Sequence, residues 1–286
     1  VVKAYGELRA RGLIEARHGK GYYVRRTEIF EHYVGLVFNK LSAHKRTVYD
    51  AIVQTLGDEA HVDLHVYNND FGAFRKLIEE HAADYTHLIV ISHFYSQHSP
   101  TEVLKQVPPE KLVVLDRLPD DLPDDYAAVY QNFGEDIFQA LHKALDDLRR
   151  YDRLTLAYPP TSHHSPDIAK GFRRFCEQHG LNHRVDRAFT YADDGQRDAY
   201  VLLEEGDLVA LLRTAKQHHL MLGQDIGVIT YNESPLKEFI AGGLTVISTD
   251  FAAMGTRAAE LVLSGHAETP APRVENAFQL IRRASL

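Results

Sequence analysis

The chain has 286 residues, 44% of them hydrophobic, with 32 Lys and Arg against 40 Asp and Glu, for a formal charge of −8. At roughly 100–200 residues per domain this suits about two domains, with enough apolar content to fill real cores. Apolar runs such as 34–38 and 88–92 fall far short of the ~20 residues of a membrane span, and Cys176 alone excludes an internal disulfide or a cysteine-based zinc site.

Residues 1–26 carry seven cations against Glu7 and Glu15, a local charge of +5, which leaves −13 for the rest. A basic head on an acidic body points to nucleic acid at one end only, unless the charges merely solvate a helix face. Val1, Ala4, Tyr5 and Leu8 fall at helical spacing, and Gly12 ends that helix. Residues 13–17 read as a strand and 21–24 as its partner, joined by the turn His18-Gly19-Lys20-Gly21. With Ala4, Leu8, Gly12-Leu13-Ile14, Gly19, Gly21 and Val24 in register, the segment resembles the C-terminal part of the GntR-type winged-helix DNA-binding domain. The resemblance implies DNA contacts from Lys3, Arg17, His18, Gly19 and Lys20, in a wing whose glycines admit close backbone approach. The earlier helices and the start of the recognition helix are absent from the sequence, which opens on Val-Val and is expected to begin inside a longer protein.

From Tyr33 onward, apolar strands alternate with amphipathic helices. Strands are expected at 33–38, 62–67, 88–92, 112–116, 154–158, 199–203, 226–231 and 245–248. Helices are expected near 45–57, 71–82, 135–149, 167–179, 207–219 and 251–264. This repetition implies doubly wound α/β layers of parallel sheet, with ligands at the carboxyl ends of the strands. Asn39, His93, Asp116-Arg117 and Asn232 stand at those ends. The phrases Val34-Gly35-Leu36-Val37-Phe38, Val113-Val114-Leu115-Asp116-Arg117, Gly227-Val228-Ile229-Thr230-Tyr231-Asn232 and Phe251-Ala252-Ala253-Met254-Gly255 together resemble the effector-binding core of the lactose-repressor (LacI) family. That family shares a two-lobed, type I fold with periplasmic sugar-binding proteins.

The resemblance implies a partial winged helix at 1–26, a linker at 27–31 and an effector domain at 32–286. Its first lobe would comprise 32–131 and 247–266, its second 134–245 and 272–286. Crossovers are expected near 131–134, 244–248 and 266–272. It further implies that Asn39, His44 and Arg46 from the first loop, Asp116 from the fourth strand end and Asn232 face the ligand. Asp116 and Asn232 are expected to contribute to binding without supporting the fold. His163 and His164 in the loop 158–166 read equally as pocket residues or as an exposed polar loop, with Ser165 capping the helix that follows. The family's second-lobe arginine aligns with Ile168, so its role is expected to pass to the histidines or Lys170. With no Trp, ring stacking falls to Tyr191, with Phe94 and Tyr95 as alternatives.

Adjacent His pairs lack helical metal-ligand spacing, and no nucleophile elbow, phosphate loop or dinucleotide fingerprint is present. The sequence therefore predicts a non-enzymatic, cytoplasmic regulator without cofactor or metal. Its expected partners are operator DNA, a small-molecule sugar effector and a second copy of itself, with no membrane association. An extracytoplasmic sugar receptor and a doubly wound enzyme are the rival readings.

Overall fold

The structure, a computed structural model, describes residues 4–5, 8, 13–17, 21–24, 30–95, 98–160, 164–266 and 270–286, with only the backbone of 15–17 and 24. β1 (Ile14–Arg17) pairs antiparallel with β2 (Gly21–Val24), Arg17 opposite Gly21, so both predicted strands are present. Gly21 adopts φ +93, a conformation that penalises any side chain. The Tyr5 ring stacks on Tyr22 at 4.7 Å, tying the preceding helical residues to the hairpin. Lys3, His18, Gly19 and Lys20 lie outside the described residues, as does the Arg17 side chain.

Strands with apolar residues on both faces need cover on both. In β3 (His32–Phe38), Val34, Leu36 and Phe38 enter one core while Val37 enters another. α1 (Ala43–Leu56), β4 (Ala60–Val66), α2 (Phe71–His81), β5 (His87–Ile91), β6 (Leu112–Asp116) and β7 (Ala127–Tyr130) follow. Asp70 caps α2, accepting the Ala73 amide at 2.6 Å. These strands and β13 (Arg273–Glu275) form one all-parallel sheet in the order β13-β7-β6-β5-β3-β4.

The chain then enters a second lobe through α3 (Phe133–Lys143), followed by β8 (Arg153–Ala157), α4 (Pro166–His179) and β9 (His183–Asp186). β10 (Asp198–Leu202), α5 (Glu205–His218), β11 (Gly227–Tyr231) and β12 (Thr245–Thr249) complete its parallel strands. α6 (Phe251–Ser264) returns to the first lobe, where it packs on α1, and β14 (Phe278–Ile281) pairs antiparallel with β12. The second sheet runs β14-β12-β11-β10-β8-β9. Ser165 caps α4 as expected, its hydroxyl accepting the Asp167 amide at 3.3 Å with Pro166 in the first turn.

Sheet pairing relocates two of the three expected crossovers. β12 belongs to the second lobe throughout, which puts that crossover at Asp250 rather than 244–248, and β13 belongs to the first, which puts the last at 276–277. Asn276, almost fully buried, stitches the three together: its amide bonds the Tyr130 carbonyl, and its side chain bonds the Thr249 hydroxyl and the Asp250 carbonyl. Four strands, β7, β9, β13 and β14, went unpredicted. Each has only three or four residues, too few for a two-residue period to stand out. Among the described residues no helix is long and apolar enough to cross a membrane.

Candidate ligand-binding cleft

Both sheets present their carboxyl ends to the space between the lobes, so the loops after β3, β5 and β6 face those after β8, β10 and β11. Two adjoining cavities of about 450 and 680 Å³ occupy this cleft, and His164 lines both. A third, about 760 Å³, shares Arg117, Pro119 and Asp120 with the second and reaches the start of α3.

On the first-lobe wall, Asp116 ends β6 at φ +76, and the chain turns there toward the second lobe. Its side chain goes inward: it accepts from Lys45 Nζ at 2.7 Å and from Gln131 Nε2, and His93 Nε2 lies 3.5 Å away. Burial alone would raise the pKa of this carboxyl, but Lys45, His93 and Gln131 reverse that and hold it below the usual carboxylate range. The Tyr67 hydroxyl accepts the His93 amide at 2.9 Å and sits 2.7 Å from the Ile91 carbonyl, fixing the loop that carries Ser92, His93 and Phe94. The Ser92 hydroxyl is buried at the cavity edge, with no hydrogen-bond partner among the described residues.

The second-lobe wall is set by Lys237, whose buried ammonium donates to the carbonyls of Tyr231 at 2.8 Å and Asn232 at 2.6 Å. Those bonds hold Asn232 in its left-handed conformation, φ +61, and burial pulls the Lys237 pKa down to about 8. The Asn232 Oδ1 is a second buried cleft atom without a hydrogen-bond partner among the described residues. The Tyr158 hydroxyl donates to the His164 carbonyl at 2.8 Å and leaves its ring against the cavity. The His164 imidazole packs edge-on to Tyr231, with Nε2 3.1 Å from Glu204. Lys40 of the first lobe also faces the cavity; burial lowers its pKa and the Glu204 carboxylate opposes that shift.

Of the predicted residues, His44, His164 and Asn232 line the cleft, His44 packed at 4.8 Å on Phe251. Phe94 and Tyr95 line it as well. His163 lies outside the described residues. Four expectations need correction. Asn39 is fully buried, with its amide turned to Asn69 at 2.6 Å, and Asp116 is committed to Lys45 and Gln131 inside the first lobe. Arg46 lies on the exposed face of α1, paired with Asp50 at 2.8 Å and extended over Tyr49. Tyr191 packs on His218 and lines a small cavity with Gln196, Arg197 and Leu220 at the amino ends of the second-lobe strands, opposite the cleft. The rings that line the 680 Å³ cavity are instead those of Phe94, Tyr95 and Tyr158. Ser92, Tyr158 and Lys237 were missed; Ser92 and Tyr158 directly follow β5 and β8, where the rule that strand carboxyl ends build the site would place them, and Lys237 comes five residues after Asn232. Among the described residues one group, Glu31, His32 and Glu59, gathers three possible metal ligands, and it lies at the amino end of the first sheet rather than in the cleft.

A family model described as a periplasmic-binding-protein-like domain matches residues 148–286. A LacI family transcriptional regulator from Lactobacillus casei with bound glucose superposes with a TM-score of 0.69 at 16% identity, over 89% of this chain and 99% of that one. A periplasmic binding protein/LacI transcriptional regulator from Alkaliphilus metalliredigens complexed with D-xylulofuranose gives 0.67 at 13%, over 88% and 98%. The Lac repressor dimer bound to operator and an anti-inducer gives 0.68 at 14%, over 91% and 82%. No curated protein matches by sequence. The chain thus has the α/β type I periplasmic-binding-protein fold, with two sheets dominated by parallel pairing, as in LacI effector domains.

Proposed function

We propose that the chain is a sugar-responsive, DNA-binding transcription regulator, a repressor of sugar-use genes whose operator affinity is set by a monosaccharide or derivative held between the lobes. The observation that carries this reading is the pair of buried polar atoms, Ser92 Oγ and Asn232 Oδ1, on facing walls of one cleft and without a hydrogen-bond partner among the described residues. Buried polar atoms are almost always hydrogen-bonded, so a ligand rich in hydroxyls is their natural complement. The rings of Tyr158 and Phe94 supply the apolar face that a sugar ring needs beside its hydroxyls. Fold neighbours bound to glucose, to D-xylulofuranose and to operator support the same reading.

The GntR-type resemblance of the basic hairpin supplies the DNA-binding half. A two-fold dimer suits paired half-sites. The absence of catalytic motifs from the sequence favours a binding protein over an enzyme, and a cytoplasmic setting follows from DNA as the partner. The hinge stitched by Asn276 lets the cleft close about the three crossovers. Closure favoured by the sugar would rotate the first lobe, and with it the head joined through 27–31.

Calorimetry against pentoses, hexoses and deoxy sugars tests the ligand half, and saturable heat from at least one is expected. Selection of duplexes from a random pool, with and without that sugar, tests the other. Coupling of ~1–3 kcal/mol would change DNA affinity about 5–150-fold. Equal DNA affinity in the two arms refutes a sugar-controlled regulator.

A further inference from the structure

The amino end of the first sheet, the end away from the cleft, gathers titratable groups that the ligand site does not use. β3 and β4 pair in parallel with His32 opposite Ala60, so Glu31 and Glu59, the residues just before the two strands, are brought side by side. Glu31, His32 and Glu59 each offer one metal-ligating atom, and the three atoms lie within 4.8 Å of one another. Both glutamates are exposed, and among the described residues neither is paired with a cation. Two carboxylates held opposite each other on adjacent strands repel unless a cation joins them.

The imidazole between them is held in place from the neighbouring strand. The His87 ring packs edge-on against His32 at 5.4 Å, with the buried His266 ring a further 6.3 Å on. Burial, with His32, His266 and Lys111 beside it, pushes the His87 pKa down to about 4, so His87 is neutral at pH 7 and adds no charge to repel a cation. The residue after His32 is clamped to β5: the Tyr33 amide donates to Thr86 Oγ1 at 2.9 Å, and the Thr86 amide donates to the Tyr33 carbonyl at 2.8 Å. The residue before Glu31 is packed too, Phe30 lying 5.6 Å from His61 and edge-on to Tyr33 at 6.1 Å. Metal-ligating histidines are oriented by surrounding groups in this way.

We propose that Glu31, His32 and Glu59 form a binding site for a first-row divalent transition ion such as Zn²⁺, with water completing the coordination. One imidazole nitrogen and two carboxylate oxygens suit Zn²⁺, whereas Mg²⁺ and Ca²⁺ prefer oxygen ligands alone. Ligand atoms 4.8 Å apart at most need only side-chain rotation to reach about 2.0–2.2 Å from a common ion. Helical ligand spacing does not reveal the site, because its residues come from two paired strands. Residues 1–26 reach the body through Glu31, so an ion bound here fixes the point at which that segment joins the first lobe. The site lies outside the cleft and does not depend on the sugar-binding reading.

The test is calorimetry of the 286-residue chain and of Glu31→Gln, Glu59→Gln and His32→Gln with zinc, manganese and magnesium chloride at pH 7. The parent is expected to bind Zn²⁺ saturably, Mn²⁺ more weakly and Mg²⁺ not at all. Each of the three variants should weaken Zn²⁺ binding tenfold or more. His179→Gln is the control, since His179 and His142 place two ring nitrogens 3.2 Å apart and could hold zinc on their own; it should leave the event that depends on Glu59 unchanged. Zinc should also raise the melting temperature of the parent and not that of Glu59→Gln. Glu31 and Glu59 are exposed, so without metal both glutamine variants should melt no lower than the parent, and they decide the matter even if His32→Gln fails to fold. A parent with no saturable Zn²⁺ binding would overturn the proposal. So would Glu31→Gln and Glu59→Gln variants that bind Zn²⁺ within about twofold of the parent, or zinc binding that only His179→Gln removes.

Discussion

Asp116 and Lys45 make the sharpest test of how the cleft is built. Their side chains are 6% and 4% exposed and their charged atoms are 2.7 Å apart. Removing one partner strands the other charge in the interior, which costs about 3–5 kcal/mol. For a body of this size each kcal/mol moves the melting temperature about 2–4 °C, so Asp116→Ala should melt about 6–20 °C below the parent. The expectation that a strand-end residue can be removed without affecting the fold fails here because the strand end turns inward. Lys45→Met should be comparably damaging. The double variant Lys45→Met/Asp116→Leu, which leaves no buried charge, should recover most of the loss.

The same pair sets an acid limit. The Asp116 pKa is depressed on folding, so its contribution is present above the unfolded value near 4 and is lost as the pH falls below it. Urea denaturation followed by circular dichroism at pH 7 and at pH 3 would read both effects, with the gap between parent and Asp116→Ala narrowing at the lower pH. An Asp116→Ala variant that loses sugar affinity while keeping its parent's stability would refute this reasoning and return Asp116 to the ligand.

Asp136, 1% exposed in α3 with neither carboxylate oxygen hydrogen-bonded, has its pKa raised to about 7 by burial and by Glu275 and Glu135. That stability is complete below about pH 4 and is lost as the pH rises through 7, so Asp136→Asn should stabilise by up to about 4 kcal/mol at pH 8 and hardly at all at pH 4; equal gains at both, by thermal melts, would contradict this. Gly171→Ala should lower stability by about 1–3 kcal/mol despite alanine's better helix propensity, because a Cβ there collides with the Gly134 carbonyl and meets Ile137 Cγ2 at 2.8 Å; an unchanged or raised melting temperature would argue against that contact between α3 and α4. Tyr158→Ala should weaken sugar binding about tenfold or more in calorimetry and Tyr191→Ala should not, and the reverse order would move the stacking face to the far end of the second lobe.

The layered α/β architecture was legible because buried parallel strands such as Leu112–Asp116 read as unbroken apolar runs, and amphipathic helices such as Pro166–His179 separate them. Strand partners were not legible, since apolar runs carry no record of which sheet they join. β12 therefore read as a strand that crosses between lobes although it lies wholly inside one sheet, and β13 was invisible. The cleft was legible to the level of the loops and not of the side chains. Within a strand the two-residue alternation says which face a residue takes, but that rule stops where φ turns positive, as it does at Asp116 and Asn232. At Asp116 the turn sends the carboxylate inward to Lys45 and leaves the next residue, Arg117, toward the second lobe. A motif match picks out the conspicuous acid, whereas the pairing of charges shows that its own lobe already holds it. At strand ends of this kind, a titratable residue is better judged a ligand contact by whether its own lobe leaves it unpaired than by its place in a motif.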